Sequence, residues 1–220
     1  MRGILIYDPN AGVGVGIHTG DDLDLVQTEK EIENPTVQSY RVQVPGRNGL
    51  LNLTKSLTGR VCYNNRKLSI VYIGTGTRED LQYLKDRFDQ YHGETLRIVD
   101  DDHPRYYYEG EFSIESKIIG NYIRIEIEVD ALPFRYALLD TMNTGSVTST
   151  GTDVIINNPG VAVIPTIKVT AQTVMTIGGK TYNLSAGTYS DLDVILETGD
   201  NTINFKGSGT YQITFQEAMI

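Results

Sequence analysis

The stretch YIRIEIEVD, residues 122–130, alternates apolar and polar side chains without a break. Successive side chains of a β-strand point to opposite faces, so this alternation predicts a strand with one buried and one wet face. Other short β-rich runs occur along the chain, at residues 4–7, 37–44, 68–73, 96–99, 107–114, 154–156, 163–169, 174–177, 192–196, 203–205 and 211–215. The sequence therefore predicts a mainly β protein.

One segment, residues 78–92, has the period of an α-helix. Its apolar side chains recur every three or four positions on one face, at Leu81, Leu84, Phe88 and Tyr91. Thr77 is placed to accept a first-turn N–H as the N-cap, and Gly93 can adopt the left-handed conformation that ends a helix. We expect one helix, residues 78–92, packed on a sheet.

The composition limits the classes of function. The 220 residues include 28 acidic and 19 basic side chains, a formal net charge of −9, whereas DNA and RNA binders present a basic surface. No run approaches the roughly 18 consecutive apolar residues that span a bilayer, and the single Cys62 excludes an intramolecular disulfide. We expect no sequence-specific nucleic-acid binding, no membrane insertion and synthesis in a cytoplasm.

Composition changes near residue 140 and divides the chain. Residues 1–140 contain 22 acidic and 16 basic side chains, while residues 141–220 contain six and three. Ser, Thr, Gly and Asn dominate residues 141–152, as in a linker or long loop. We predict an N-terminal β-sandwich-like domain with one helix at residues 1–137, a linker at 138–152, and a C-terminal β-sandwich at 153–220.

Four groups of residues could carry chemistry, and each has a simpler explanation. Asp100–His103 could bind Ca²⁺ or Mg²⁺ but lacks the alternating spacing of a calcium loop, so a solvated turn is favoured. Glu109 and Glu111 could form a glycosidase pair, but the chain has no Trp to bind a sugar. Tyr106–Tyr108 could stack on sugars or bases, yet a Tyr triplet in a strand more often divides between core and interface. Gly12–Gly16 lacks the helix of a dinucleotide-binding turn. We therefore predict no catalytic residue, cofactor or metal, and a protein that is not an enzyme.

The most specific motif is VPGRNGLLNLT, residues 44–54. It resembles the signature of the distal tail proteins of siphophages and prophages, in which a PGR triplet is followed by Asn or Asp, Gly and a Leu-rich strand. The order of elements after it is also similar to the first domain of that family, down to the closing Pro133–Tyr136. Residues 157–160, 165–169, 192–194 and 199–203 resemble the family's galectin-like C-terminal sandwich.

The resemblance implies a structural function. Distal tail proteins form rings, typically of six subunits, at the baseplate hub of the phage tail tip, and DNA leaves through the channel of the ring. The implied partners are other copies of the chain, the tail tube protein, the tail-associated lysin or tail fibre, and receptor-binding proteins. The implied location is the virion, with synthesis in the cytoplasm of the bacterial host.

The loop of this motif is the predicted oligomer interface. Its residues are Pro45, Gly46, Arg47, Asn48 and Gly49. Pro45 and Gly46 turn the chain out of a strand, and Asn48 and Gly49 tolerate positive φ before the next one, so Arg47 is presented from a tight loop. The alternative function is a carbohydrate-binding or adhesion module, which the predicted C-terminal sandwich would also suit.

Overall fold

A computed structural model of the chain describes residues 2–54 and 59–220. It confirms a mainly β protein with several antiparallel sheets. The chain divides into two compact units, Met1–Arg135 and Tyr136–Ile220. Within the described ranges, no helix is long and apolar enough to cross a membrane.

The first unit is built on one antiparallel sheet in the order β2-β1-β7-β8-β9-β6-β3. Its strands are β1 (Ile4–Tyr7), β2 (Ile17–His18), β3 (Val26–Ile32), β6 (Arg66–Thr75), β7 (Thr95–Asp100), β8 (Tyr106–Ile119) and β9 (Tyr122–Ala131). The sheet curves, because Ile4 near one edge and Leu25 near the other belong to the same core. The predicted sandwich-like first domain is corrected in this respect: one twisted sheet, folded over its own core, replaces two separate layers.

The alternating stretch forms the centre of this sheet. Ile123, Ile125, Ile127 and Val129 of β9 are all buried in the core, as predicted. β9 pairs over its full length with both β6 and β8, so it is a central strand whose polar side chains lie on the opposite, wetter face. Binary patterning alone therefore fixes which face of β9 is inside.

The helix α1 (Arg78–Asp89) packs on β8 and β9 through Leu81, Leu84 and Phe88. It begins with a capping box, in which Thr77 and Asp80 exchange side-chain to backbone hydrogen bonds. The predicted helix, residues 78–92, is three residues too long. Residues 90–92 form a turn instead, and Gly93, at φ 82°, directs its N–H to the carbonyl of Phe112.

A separate two-stranded hairpin interrupts the first unit between β3 and β6. It consists of β4 (Arg41–Gln43) and β5 (Leu50–Asn52), paired in the register Arg41 with Asn52 and Gln43 with Leu50. The predicted strand at residues 37–44 is thus shorter, and Val37 forms only an isolated bridge with Tyr63.

The second unit contains two four-stranded antiparallel sheets. One has the order β11-β18-β13-β16 and the other β12-β17-β14-β15, with β11 (Thr141–Ser146), β12 (Thr152–Asn158), β13 (Thr166–Val169), β14 (Thr173–Ile177), β15 (Lys180–Leu184), β16 (Gly187–Tyr189), β17 (Gly199–Gly207) and β18 (Thr210–Phe215). The short strands β10 (Arg135–Ala137) and β19 (Ala218–Met219) pair with each other. Ile167 and Ile213 of the first sheet share one core with Met175 and Phe205 of the second, so the sheets form a sandwich.

Two expectations for this unit are wrong. The predicted linker, residues 138–152, contains β11, which pairs along its whole length with β18 because the backbone of this Thr- and Asn-rich segment completes a sheet edge. Residues 192–196 form no strand. Val194 and Leu196 are nevertheless buried in the core, and Leu196 makes an isolated bridge with Val163.

Candidate functional site

The five predicted interface residues, Pro45 to Gly49, lie together at the tip of the β4–β5 hairpin, and all five are exposed. Gly46 and Gly49 have φ values of 80° and 79°, the left-handed region that favours glycine. The Arg47 N–H donates to the Val44 carbonyl at 3.1 Å, which closes a turn. The tip is therefore a compact loop that presents the Arg47 side chain to solvent.

The base of the hairpin is anchored by hydrogen bonds. The Leu53 N–H donates to the Tyr40 carbonyl at 2.9 Å, and the Tyr40 N–H donates to Thr54 Oγ1 at 2.8 Å. Just before it, the Gln38 N–H donates to the carbonyl of Cys62 at 2.9 Å. Among the described residues β4 and β5 pair with no strand of the main sheet, and an isolated pair of strands is only marginally stable in water.

Apolar side chains on and beside the hairpin are open to solvent. Tyr40 is 56% exposed and Leu50 is 55% exposed, and Val37 and Val44 are exposed beside them. Clustered exposed apolar groups on a protein surface mark sites of interaction. Among the described residues β4 and β5 pair only with each other, so their outer edges offer backbone groups that another chain could cover.

The charge of this segment is opposite to that of the whole chain. Residues 34–65 contain four basic side chains, Arg41, Arg47, Lys55 and Arg60, and no acidic one. Within the ranges that the structure describes, neither Arg41 nor Arg47 has an ion-pair partner. The hairpin is therefore a basic and partly apolar projection on an acidic protein.

The outward face of the main sheet is the acidic counterpart. The register places Glu31, Ser69, Glu128 and Ser113 side by side across β3, β6, β9 and β8. The neighbouring rows add acids of the same face, Glu29, Glu33, Glu111, Glu115, Glu126 and Asp130. This acidic face was not predicted as a site, although the alternation at 122–130 already indicated that its polar residues share one wet face.

Part of the acidic face is a shallow groove of about 520 Å³. Four acids line it, Glu33, Glu111, Glu128 and Asp130, together with Lys67. Among the described residues these four acids form no ion pair. We call this surface the acidic groove.

The Asp100–His103 cluster is an ion-pair network. The Lys30 ammonium lies 3.0 and 2.9 Å from the two carboxylate oxygens of Asp100 and also binds Asp102. Burial opposes the charge of Lys30, but the hydrogen bonds with Asp100 and Asp102 outweigh it and raise the Lys30 pKa. Hydrogen bonding to Lys30 lowers the pKa of Asp102.

Asp101 in this cluster binds two other groups. Its carboxylate accepts from the Gly3 N–H at 2.8 Å and lies 3.0 Å from His18 Nε2. The three aspartates at the end of β7 therefore hold neighbouring segments in place: Lys30 of β3, Gly3 before β1 and His18 of β2. Their role is structural.

The tyrosine triplet and the Glu pair are also held by structural contacts. Tyr107 and Tyr108 are buried, so their rings are not a stacking surface. The Arg97 guanidinium lies 4.3 Å from the centre of the Tyr107 ring and donates to Glu109 at 2.6 Å. Glu109 thus forms an ion pair with Arg97, whereas Glu111 is exposed to solvent. The two carboxylates therefore do not act as a matched pair.

The glycine-rich segment Gly12–Gly16 contains a short 3-10 turn, Val13–Val15, and no α-helix. A dinucleotide-binding turn needs a helix N-terminus to hold the pyrophosphate. This segment instead connects β1 to β2, and Gly16 leaves no room for a side chain beside Leu5 and Tyr7.

The second unit presents no fully exposed aromatic ring. Tyr211 is buried and stacks on Phe205 with ring centres 4.6 Å apart. The partly buried Tyr182 and Tyr189 direct their hydroxyls to backbone carbonyls. The aromatic residues of this unit therefore serve its core and turns, and none forms a flat platform for a sugar.

The fold has a counterpart of the same length among solved structures. The chain superposes on the Dit (gp 19.1) protein of phage SPP1 with a TM-score of 0.67 at 14% sequence identity, over 98% of this chain and 99% of that one. The fold is similar to that of SPP1 Dit. That protein is described as a paradigm of the hub adsorption apparatus in phages that infect Gram-positive bacteria. The predicted resemblance to siphophage distal tail proteins is thereby confirmed at the level of the fold.

A second solved structure is more distant. The chain aligns with a chain of the phage p2 baseplate, in its activated conformation with Sr, at 9% identity and a TM-score of 0.44, over 99% of this chain and 98% of that one. No family model and no curated protein sequence matches the chain.

Proposed function

We propose that this protein is a structural subunit of a phage tail tip. In this role, six copies form a ring that joins the tail tube to the baseplate and the receptor-binding apparatus. The observation that carries the proposal is the likeness to SPP1 Dit over essentially the full length of both chains. A likeness confined to one unit could reflect a common β-sandwich, whereas an alignment that covers 98% of this chain and 99% of the other supports a shared architecture.

The contacts of the polar residues support a structural role over a catalytic one. The side chains weighed for chemistry in the sequence, at Asp100–Asp102, Tyr107 and Glu109, bind neighbouring residues of the same unit. A catalytic site places its titratable groups in a concave pocket where substrate can reach them. The acidic groove holds Glu33, Glu111, Glu128 and Asp130 on the outward face of the sheet, and among the described residues these four acids form no ion pair.

The hairpin supports assembly. A ring requires one face of each subunit to contact a different face of its neighbour. The Pro45–Gly49 tip and the exposed Tyr40 and Leu50 offer a projecting surface that is poorly supported by its own chain. We place these residues at the contact between neighbouring copies.

The net charge suits a channel for DNA. Each copy carries a formal charge of −9, and a field of this sign repels phosphates, so DNA passes without adsorbing. Other tail components, including the tail tube protein and a tail fibre or lysin, would bind the remaining surfaces of the ring. The galectin-like C-terminal domain is the part we assign to receptor-binding partners.

The test is the mass of the purified chain, measured by light scattering after size exclusion. We expect six times the mass of one chain for the wild type, and the mass of a monomer for the double variant Arg47→Glu, Asn48→Lys. A matched control, Lys168→Glu with Asn183→Lys in the second unit, should assemble like the wild type. A wild type that stays monomeric at all concentrations would contradict the ring.

A further inference from the structure

We propose that the Asn48–Gly49 peptide, at the tip of the β4–β5 hairpin, is a site of spontaneous covalent modification at which the chain deamidates. The backbone nitrogen of Gly49 attacks the side-chain amide carbon of Asn48 and forms a cyclic succinimide. The Asn48 amide nitrogen takes up the Gly49 proton and leaves as ammonia. Water then opens the ring at either of its carbonyls and gives aspartate or isoaspartate. The reaction needs no partner protein, so it goes beyond the proposed structural function.

The residue that follows Asn48 sets the first condition. Asn48 is the only asparagine of this chain that is followed by glycine, and no aspartate is followed by one. Glycine has no Cβ, so its backbone nitrogen can approach the preceding side chain without a steric clash. Asn34 and Asn158 precede proline, whose nitrogen carries no proton to give up. The remaining asparagines precede residues whose side chains crowd the attack.

The structure leaves both reacting groups free. Asn48 and Gly49 are exposed, and in the part of the chain that the structure describes neither the Asn48 side chain nor the Gly49 N–H has a hydrogen-bond partner. The turn is closed before them, by the hydrogen bond from the Arg47 N–H to the Val44 carbonyl. Nothing lies within 4 Å of the position that a Cβ on Gly49 would occupy. The Asn48 amide can therefore reach the Gly49 nitrogen without breaking a contact.

Another exposed asparagine, Asn10, shows what prevents this reaction. Its side chain donates to the Asp8 carboxylate at 3.1 Å, and the N–H of the next residue, Ala11, donates to the Asp8 carbonyl at 3.0 Å. Both potential reactants are therefore held in other hydrogen bonds. An intramolecular reaction is fast only where its atoms can adopt an attacking geometry. We therefore expect Asn48 to react well before Asn10.

The product changes the charge and the backbone of the hairpin. Aspartate and isoaspartate each add a carboxylate beside Arg47, in a segment, residues 34–65, that otherwise contains no acid. Isoaspartate also routes the main chain through the former side chain, which adds a methylene to the backbone. β4 and β5 have only three residues each. We therefore expect the longer backbone at the tip to disturb their pairing.

The experiment follows the full chain during incubation at mildly alkaline pH by peptide mass spectrometry with fragmentation. Deamidation changes the mass of a peptide by the difference between an amide and an acid. We expect conversion at Asn48 to be roughly tenfold faster, or more, than at Asn10. Asn48→Gln should abolish the fast release of ammonia, because a glutamine amide must close a larger ring. Asn10→Gln is the matched control and should leave conversion at Asn48 unchanged.

A second chain, Leu50→Ser, separates this site from the proposed ring. If the hairpin tip lies at the contact between copies, assembly covers Asn48 in the wild type, and Leu50→Ser, with weaker self-association, should convert faster. Equal rates in the two chains support the modification site and contradict the placement of the tip at that contact.

Two outcomes overturn the inference. The first is conversion at Asn10 as fast as at Asn48, or ammonia release from folded Asn48→Gln at the wild-type rate. The second is no conversion at Asn48 in either the wild type or Leu50→Ser, under conditions that convert it in the urea-unfolded chain. This result would show that the folded loop holds the two groups apart.

Discussion

The main sheet and the hairpin of the first unit are both antiparallel β-structure, but they differ in what supports them. The sheet buries every second side chain of β9, from Ile123 to Val129, in the core that it shares with α1. The Lys30–Asp100 ion pair links its strands β3 and β7. The hairpin has three residues in each strand and its Leu50 is open to solvent. The sheet is thus stabilised by its own packing, whereas the hairpin is the surface that we propose for contact with a neighbouring copy. The predictions below test this difference.

The largest effect is expected in the core of the sheet. Phe112 of β8 is 1% exposed, and Phe112→Ala removes its ring and leaves a cavity under α1. We expect the free energy of unfolding to fall by about 3–5 kcal/mol, as measured by urea denaturation. A loss below about 1 kcal/mol would show that the sheet is not the self-supporting part of the unit.

The ion pair that joins Lys30 of β3 to Asp100 of β7 should have the next largest effect. Asp100 has a side chain that is 4% exposed and Lys30 one that is 19% exposed. Lys30→Met leaves the Asp100 carboxylate buried without its cation, and we expect a loss of about 1–3 kcal/mol in the same experiment. The control is Lys180→Met, which breaks the solvent-exposed pair with Asp193. Equal losses for the two variants would contradict the role assigned to Lys30.

The hairpin should respond in the opposite way. Leu50→Ser changes an exposed side chain, so the unfolding free energy of the monomer should change by no more than about 0.5 kcal/mol. The same change should weaken self-association, because Leu50 lies on the face assigned to the neighbouring copy. Light scattering over a dilution series measures the second effect. Unchanged assembly would remove Leu50 from the interface.

The smallest effect concerns the start of α1. Hydrogen bonds from the Thr77 side chain and backbone lower the pKa of Asp80. A carboxylate with a lowered folded-state pKa stabilises the fold above its unfolded-state pKa of about 4, and this contribution is lost as the pH falls through the folded-state value. We expect Thr77→Val to raise the Asp80 pKa and flatten this part of the pH profile. An NMR titration of the Asp80 carboxyl measures the shift, and an unchanged value would contradict the capping box.

The sequence predicted the self-supporting parts of the fold best, because binary patterning and helix capping are local signals. Residues 122–130 and Thr77 act in the structure as predicted. Two of the strands that were missed have few large apolar residues: β3 has only Val26 and Ile32, and β11 has only Met142. Such strands form because backbone groups complete a neighbouring ladder, which no local pattern records.

Of the two surfaces described here, the sequence predicted the hairpin loop but not the acidic groove. The Pro45–Gly49 turn chemistry predicted an exposed loop, and the structure places all five residues at a hairpin tip. The acidic groove could not be assembled in the same way, because it needs the register between Glu111 and Asp130 and the placement of Glu33 after an unpredicted strand. That Pro45–Gly49 form an oligomer interface remains a prediction.

The central claim is that this chain closes into a ring through a repeated head-to-tail contact. Electron microscopy of the purified wild-type chain, taken from the size-exclusion peak, tests it most directly. We predict a closed ring of six subunits around a channel wide enough for duplex DNA, with the hairpin tip of each copy on its neighbour. A two-fold symmetric dimer, an open filament or isolated single chains would contradict it.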